Sequence, residues 1–385
     1  MKYLKYLLLS MSAFVFIACS NETSANIVKV DTQKEKISLG KSLFFDKNLS
    51  KNRTQSCATC HNPDAGFVDD RDNGVEKRAS LGDDGHSIGD RQAPSAAYAM
   101  FSPKFHYDAV RKEYVGGQFW DGRESTLAGQ AGGPPTNPAE MGMGSKKETI
   151  ERIQENEYYV ELFTKIYGQD IFADASKAYL SMTQAIEAFE QTKEFAPFDS
   201  KYDRYLEGKY DLSPTEDLGR SLFFSNANNS CASCHTLKAE DKKGETFTNY
   251  EFHNIGTPIN SELRAKNGVK SIDRALLNNP AVSDVIHKGK YKVPTLRNVA
   301  VTAPYMHNGV FKELKTVVEF YNKYNDKTKT INPETSKVWA EPEVKETINL
   351  DDLKAKKQNE RKMEALVAFM KLLTDKRYEH LVNTK

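Results

Sequence analysis

The chain has 385 residues, which at roughly 150 residues per domain suggests two domains. Hydrophobic residues make up 39% and charged residues 28% of the sequence, a balance that excludes collagen, coiled coil and wholesale disorder. The formal net charge is +1, so the chain lacks the basic field that would hold a nucleic-acid backbone.

The N-terminus has the pattern of a targeting segment. Lys2 and Lys5 precede an apolar run that ends at Cys19 and is too short to span a bilayer comfortably. The sequence predicts a signal peptide over 1–18. Phe16-Ile17-Ala18-Cys19 resembles a bacterial lipobox, which makes Cys19 a lipidated first residue followed by a polar tether, 19–32. The alternative is an ordinary cleaved signal with an incidental cysteine. We expect a periplasmic protein whose one membrane contact is this lipid anchor.

The remaining four cysteines fall into two motifs, Cys57-Ala58-Thr59-Cys60-His61 and Cys231-Ala232-Ser233-Cys234-His235. C-x-x-C-H is the attachment signal for c-type haem. Two thiols one helical turn apart can form thioethers to the two vinyl groups of one porphyrin, and the adjacent imidazole then becomes an axial ligand of the iron. The sequence predicts two covalently attached haem c groups, with His61 and His235 as iron ligands.

Other uses of paired cysteines fit less well. Zinc ribbons place their two C-x-x-C knuckles roughly 15 to 20 residues apart, whereas 174 positions separate Cys57 from Cys231. A redox dithiol does not require the following histidine, still less twice. Structural disulfides are the remaining alternative.

Similar segments precede the two motifs. Leu39-Gly40-Lys41-Ser42-Leu43-Phe44-Phe45 lies before the first and Leu218-Gly219-Arg220-Ser221-Leu222-Phe223-Phe224 before the second, which indicates an internal duplication. We expect a mainly α fold with two cytochrome-c-like haem domains, 33–212 and 213–385, and long irregular loops. Ser213 is predicted to cap the opening helix of the second domain, with Pro214 at its first turn and Glu216 completing a capping box.

Further helices are predicted over 148–167, 176–195 and 361–373 from their apolar spacing. Thirteen of the 22 glycines fall between Gly66 and Gly144, which predicts a long irregular segment of the kind that often carries function. The Lys-rich segment 325–357 is expected to be a solvated insertion, with no role assigned to Trp339.

Five segments, together with the two haem motifs, resemble the bacterial dihaem cytochrome c peroxidase superfamily and, within it, the MauG-like branch. They are Tyr114–Arg123, Gln130–Pro135, Asn137–Met141, Val293–Asn298 and Thr302–His307. The resemblance implies that the first haem is the peroxidatic one and the second transfers electrons. It also implies that Glu140 is the catalytic acid/base, that Gln130 assists it, and that Trp120 is an electron-transfer bridge between the haems. Without the resemblance, Glu140 would be read as a surface acid and Trp120 as a core residue.

The resemblance further implies a calcium ion between the domains. Its ligands would be the backbone carbonyls of Thr302 and Pro304 and an asparagine side chain. This chain has Gln92 at that position, and a glutamine carbonyl can also serve a hard cation. A calcium site is therefore a weaker expectation than the haems.

Two departures bear on the iron ligands. Asp90 stands where ordinary dihaem peroxidases carry a removable distal histidine, so the first iron is expected to be permanently five-coordinate, with His86 and His106 on loops or the surface. Tyr321 stands where those enzymes carry a methionine ligand of the second iron, as in the MauG-like branch. A phenolate ligand favours ferric and higher oxidation states. The alternative to Tyr321 as ligand of the second iron is Met306.

The leading interpretation is a cytochrome-c peroxidase that reduces hydrogen peroxide with electrons from a small cytochrome c or cupredoxin. The alternative is a MauG-type enzyme that uses high-valent iron to oxidise Trp or Tyr residues of a partner protein. Tyr321 favours it, although no Trp lies just before Cys231, where MauG carries one for contact with its substrate. A third interpretation, a pure electron carrier, requires both irons saturated with ligands.

Overall fold

The computed structural model describes residues 21–225, 231–237 and 244–382, with side chains from residue 32 onward. The predicted signal peptide and Cys19 lie outside these residues. Within them, no helix is both long and apolar enough to cross a membrane.

The described residues are mainly helical, as the sequence predicts. The helices are α1 (Asn21–Phe45), α2 (Cys57–Cys60), α3 (Leu127–Ala131), α4 (Lys146–Gln154), α5 (Glu157–Tyr167), α6 (Ala175–Glu190), α7 (Lys201–Leu206), α8 (Pro214–Phe223), α9 (Cys231–Cys234), α10 (Ser261–Asn267), α11 (Leu314–Asn322), α12 (Glu360–Lys371) and α13 (Glu379–Val382). Three antiparallel pairs of short strands are β1 (His106–Asp108) with β2 (Glu113–Val115), β3 (Phe252–His253) with β4 (Tyr291–Lys292), and β5 (Ile331–Asn332) with β6 (Lys337–Val338).

The predicted helices are found with two differences. The helix expected over 148–167 is two helices, because the side chain of Asn156 accepts a hydrogen bond from Tyr158 N and caps α5. The helix expected over 176–195 ends at Glu190. At the start of α8, Ser213 and Glu216 form the predicted capping box.

The N-terminal core forms where α1 crosses α6. At the crossing, a Cβ atom on Gly40 would lie 1.8 Å from Ala185 O, so glycine alone permits this approach. Phe44 is fully buried, and its ring meets Phe189 and Phe195 edge-on at 5.5 and 5.6 Å between centroids. The Leu/Phe face that precedes the first cysteine motif is thus a core face.

The C-terminal core has the same arrangement between α8 and α12. A Cβ atom on Gly219 would lie 1.8 Å from Ala365 O. Phe223 is buried and packs on Phe369 at 5.0 Å and on Phe247 at 6.2 Å. Each predicted repeat segment therefore places a glycine at a helix crossing and phenylalanines in a core.

A buried carboxylate joins elements from both halves of the sequence. Asp375 accepts hydrogen bonds from Tyr98 Oη at 2.5 Å and from Asn298 Nδ2 at 2.8 Å. Its own backbone N–H donates to Asn298 Oδ1 at 2.8 Å. Because these groups are buried, the bonds fix the relative position of the segments that carry them.

The segment 325–357 is mostly exposed, as expected, but Trp339 anchors it in the core. Trp339 is 9% exposed, its ring meets Phe311 and Phe320 edge-on, and its Nε1 donates to Lys329 O at 3.0 Å. The lysines of this segment are exposed, whereas Trp339, Val344 and Leu353 are buried, and these three are too widely spaced to form a pattern in the sequence.

Candidate functional site

Each C-x-x-C-H motif forms one short helix that ends at its histidine. His61 N donates to Cys57 O and His235 N donates to Cys231 O, both at 2.9 Å. The two cysteines and the histidine of each motif therefore lie on a single turn, as haem attachment requires.

Both motif histidines are oriented by a backbone carbonyl. His61 Nδ1 contacts Phe67 O at 3.2 Å, and His235 Nδ1 contacts Phe247 O at 3.0 Å. The two phenylalanines share a left-handed backbone, with φ of 57° and 55°. An imidazole that donates from Nδ1 presents an unprotonated Nε2, the usual arrangement of a metal-ligating histidine.

The electrostatics of these histidines also suit a metal ligand. Burial lowers the pKa of His61, and burial lowers the pKa of His235 to about 4. Both imidazoles are therefore neutral at pH 7, the form in which histidine binds iron.

The four motif cysteines form no disulfide with one another. Burial raises the pKa of the Cys57 and Cys231 thiols to about 12 and that of Cys60 to about 11. A reactive dithiol needs the opposite shift. Covalent attachment of a group beside these thiols therefore fits their environment better than redox exchange does.

A cavity of about 240 Å³ adjoins the second motif. Its lining is largely apolar and includes Cys231, Cys234 and His235 together with Trp120, Met306 and Tyr321. The residues beside the second motif therefore fit a haem, and the two predicted ligands, His235 and Tyr321, line the same cavity.

Tyr321 reaches this cavity from the C-terminal end of α11. Of its surface, 36% is accessible, and the side chain lines the cavity. Although part of the residue is accessible, desolvation of the hydroxyl, followed by the nearby Cys234 and Cys231, raises the pKa of Tyr321. The phenolate is thus disfavoured unless a cation such as ferric iron lies against the oxygen.

Glu140 lies close to the first motif. Its side chain is half-buried, and it adds the smallest of the effects, after burial and Asp69, that raise the pKa of the Cys60 thiol. Desolvation raises the pKa of Glu140 itself, against the opposing effects of Arg123 and a hydrogen bond with Asn137. A carboxyl group with a raised pKa can hold and release a proton closer to neutral pH.

Gln130 lies in α3, and the segment that follows this helix leads to Glu140. Gly133 N donates to Gln130 O at 3.0 Å, and Met141 N donates to Pro134 O at 3.2 Å. These bonds fold the segment back on itself and join Met141, which follows Glu140, to Pro134, four residues after Gln130.

The histidines near Asp90 lie on the surface, as the sequence predicts. His86 is exposed, with Nδ1 contacting Asp84 O at 2.9 Å, and His106 is exposed, with Nδ1 contacting Lys104 O at 2.8 Å. Asp90 is exposed as well. Each of the two rings thus contacts the backbone carbonyl two residues before it in the sequence.

Trp120 lies between elements of the two halves. Its Nε1 donates to Gln92 O at 2.9 Å, and its carbonyl accepts from Lys292 N, in β4, at 2.9 Å. Because Trp120 also lines the cavity beside His235, the predicted bridge residue contacts the second site directly.

The three residues of the expected calcium site meet, but in an arrangement that does not fit an ion. Gln92 directs its amide nitrogen, a donor, at Pro304 O at 2.6 Å and at Thr302 O at 3.3 Å. The two carbonyls that would ligate calcium are already hydrogen-bonded.

Sequence reasoning missed a buried ion-pair cluster beside Trp120. Arg91 bonds Asp121 at 2.7 Å and makes a two-pronged bond to Asp273 at 2.6 and 2.7 Å. Its guanidinium lies 5.8 Å from the centre of the Tyr291 ring. Asp273 is 182 positions from Arg91, so no local pattern could pair them.

Arg123 was also missed. It bonds Asp121 at 2.9 and 3.0 Å and stacks on Phe119 with 3.7 Å to the ring centre. Its place in the Tyr114–Arg123 segment, three residues after Trp120, was the signal that could have found it.

Comparisons with known proteins point to one family. A model of the di-haem cytochrome c peroxidase family matches residues 34–211. The methylamine utilization protein MauG of Paracoccus denitrificans is 44% identical over 350 residues, which cover 89% of this chain and 89% of the relative. The cytochrome c551 peroxidase of Nitrosomonas europaea is 30% identical over 86% of each chain.

Solved structures give a matching result. The diheme peroxidase BthA of Burkholderia thailandensis superposes with a TM-score of 0.79 and 29% identity, covering 89% of this chain and 86% of that chain. The fold is therefore shared along most of the sequence.

Proposed function

Because this chain belongs to the di-haem cytochrome c peroxidase family, we propose that it is a peroxidase that reduces hydrogen peroxide to water. Each turnover takes two electrons and two protons and yields two water molecules. A small cytochrome c or cupredoxin is the proposed donor. The observation that carries the proposal is Glu140, a half-buried carboxyl with a raised pKa beside the first cysteine motif.

When bound, two haem c groups supply the iron at which peroxide is cleaved and the iron through which electrons arrive. We propose that Cys57, Cys60 and His61 hold the first haem. The second haem is held by Cys231, Cys234, His235 and Tyr321. The carbonyls of Phe67 and Phe247 keep the two histidines in the tautomer that a metal needs.

Glu140 is the group that moves a proton between the two oxygens of peroxide. It accepts the proton from the near oxygen and delivers it to the departing one, so its own protonation is unchanged after the step. Gln130 contributes an amide on the neighbouring loop that can hydrogen-bond the oxygens. Trp120, held by Gln92 O and lining the second cavity, is the proposed route for electrons between the two sites.

We propose that the halves 33–212 and 213–385 are haem domains that arose by duplication. In support, each half places a glycine at a helix crossing, a C-x-x-C-H turn after it, and a histidine bonded to a left-handed phenylalanine. A periplasmic location with a lipid anchor at Cys19 is also a proposal, made from the N-terminal sequence.

Replacing Glu140 by Gln tests the peroxidase proposal. The amide keeps the shape of the side chain but cannot carry the proton, so peroxide consumption with a reduced cytochrome c should slow by about 10²–10⁴-fold. Haem content, measured as the pyridine haemochrome, should not change. Glu161→Gln, an exposed change in α5, is the matched control. Unchanged turnover in E140Q refutes the role of Glu140.

A second candidate is a MauG-type activity that oxidises Trp or Tyr side chains of a partner protein. It is favoured by the 44% identity to MauG over 89% of the chain and by Tyr321 in the second cavity. Ferric protein should be mixed with peroxide and then with reduced cytochrome c. Rapid oxidation of the cytochrome supports the peroxidase, whereas its persistence, with oxidised Trp or Tyr found by mass spectrometry in co-purifying proteins, supports the second candidate.

A further inference from the structure

Gln92 stands where the family resemblance expects an asparagine side chain to ligate a cation between the two halves. Its side chain is 9% exposed, and Nε2 lies 2.6 Å from Pro304 O and 3.3 Å from Thr302 O. Both carbonyls come from the segment that follows the second-half Val293–Asn298 motif. The amide therefore supplies positive hydrogens to the same two oxygens that a cation would bind.

The atoms that meet here do not suit an ion. Calcium binds oxygen atoms, at about 2.3–2.6 Å, whereas the atom that Gln92 turns toward the two carbonyls is a nitrogen that carries hydrogens. The side-chain nitrogen and Pro304 O are 2.6 Å apart. This is a short hydrogen bond and not a pair of ligands around an ion.

We propose that the Gln92 amide replaces a calcium ion in this chain and positions Trp120 without any metal. Gln92 makes three kinds of contact at once. Its side chain ties the Thr302 and Pro304 carbonyls, its own carbonyl accepts from Trp120 Nε1 at 2.9 Å, and its N–H donates to His307 O at 2.7 Å. One residue thus links the first-half loop, the indole and the segment that leads to the second cavity.

The length of the side chain explains why glutamine suits this role. An amide NH₂ offers two donors, one for each carbonyl, and the extra methylene relative to asparagine carries it to the oxygens. A shorter side chain would withdraw the amide and open a gap lined by carbonyls, which is the environment that a hard cation prefers.

The test replaces the hydrogen-bond donor of Gln92 by an acceptor in the protein with its haems attached. Gln92→Glu has almost the same shape, but it places a carboxylate against two carbonyl oxygens, so it should bind one calcium per chain with a Kd on the order of 10⁻⁴–10⁻³ M. The wild type should retain no stoichiometric calcium after dialysis against CaCl₂ and desalting, by elemental analysis. Its melting temperature and haem spectrum should not respond to EGTA or to millimolar CaCl₂. The melting temperature of Q92E should rise with added CaCl₂.

Gln118→Glu is the matched control. Gln118 is also buried, and its Nε2 donates to a single carbonyl, Ala99 O, at 3.2 Å. The same charge change there should lower the melting temperature without rescue by calcium. If Q92E does not accumulate, Gln92→Asn, which opens the gap, should acquire calcium in its place.

Two results would overturn the inference. One is stoichiometric calcium in the wild type together with a loss of its spectrum or melting temperature in EGTA. The other is a Q92E or Gln92→Asn protein that neither binds calcium nor responds to it. Because calcium content and melting are read without turnover, either result is independent of whether the protein is a peroxidase.

Discussion

The two haem-motif regions share one local backbone arrangement, here called the frame, and differ in the side chains that surround it. In both, a C-x-x-C-H turn ends in a histidine bonded to the carbonyl of a left-handed phenylalanine. Around the first motif, a glycine-rich loop brings the carboxyl of Glu140. Around the second, a helix brings the phenol of Tyr321 into an apolar cavity. The frame serves attachment, and the segments outside it determine the chemistry.

The frame extends to the packing of the helices, which makes it testable by paired changes. Gly40 and Gly219 meet the carbonyls of Ala185 and Ala365 at the same calculated Cβ distance of 1.8 Å. Counting onward from the two alanines, Phe189 matches Phe369 and Glu190 matches Met370. The halves therefore match at the crossing glycine, the contacted alanine and the phenylalanine four residues later, whereas the next position is the buried Glu190 in one half and Met370 in the other.

The largest effect is expected from Gly40→Ala or Gly219→Ala. In each variant a methyl group would overlap a backbone carbonyl that has no freedom to rotate away, so the helices must separate. We expect a loss of at least about 3 kcal/mol in the free energy of unfolding. Thermal unfolding followed by circular dichroism measures it, with the Soret band reporting the haem.

The two glycine variants should behave alike if the halves are packed alike. Ser221→Ala, an exposed change on α8, is the control and should leave the unfolding temperature unchanged. If alanine leaves the unfolding temperature unchanged at one glycine and lowers it at the other, the two helix crossings are not packed alike.

A smaller effect is expected from Tyr321→Phe, which tests the difference between the two sites. Loss of an anionic ligand should raise the midpoint potential of the second haem by on the order of 0.1 V, a fraction of the roughly 0.8 V that axial ligands span. The first haem should keep its potential. Spectroelectrochemical titration measures both potentials in one sample.

Tyr324→Phe is the control for the tyrosine change. Tyr324 follows α11 and donates from its hydroxyl to Ile255 O at 2.9 Å, so its loss should affect stability and not potential. If Tyr321→Phe leaves both potentials unchanged, Tyr321 is not a ligand, and Met306→Leu becomes the variant that should shift the second haem.

The sequence predicted those parts of the site that depend on neighbours along the chain. The C-x-x-C-H turns, the helices before them and the cap at Ser213 are local patterns, and all three are present. Asn156 was misjudged because its capping role interrupts an apolar pattern that otherwise continues. In each case contacts within a few residues decide the structure.

Contacts between distant segments could not be predicted in this way. The pairing of Arg91 with Asp273 and of Tyr98 with Asp375 spans 182 and 277 positions. The donor role of Gln92 also depends on where the Thr302 and Pro304 carbonyls come to lie. Charged and amide residues in loops are most often solvated, so composition gave no reason to expect them buried.

The smallest effect concerns the buried Glu190, which aligns with Met370. Glu190 is 5% exposed, its Oε2 has no hydrogen-bond partner, and burial followed by the charge of Glu187 raises its pKa to about 8 from an ordinary 4.5. A raised carboxyl pKa means that the folded state binds the proton more tightly than the unfolded state. Stability is therefore lost as the pH rises from about 4.5 through about 8.

Glu190→Gln removes this pH dependence, and Glu190→Met makes the position like Met370. The pKa difference corresponds to at most about 5 kcal/mol. Because hydration and relaxation reduce such costs, we expect the variants to be more stable than the wild type by about 1–2 kcal/mol at pH 9 and equal to it at pH 5. Denaturant unfolding at both pH values measures this. Glu364→Gln, exposed on α12, should reproduce the wild-type dependence. If Glu190 is instead ionised and paired with a cation near the first haem, both variants should be less stable than the wild type at pH 9. The buried charge would then be a functional difference between the two halves and not a destabilising one.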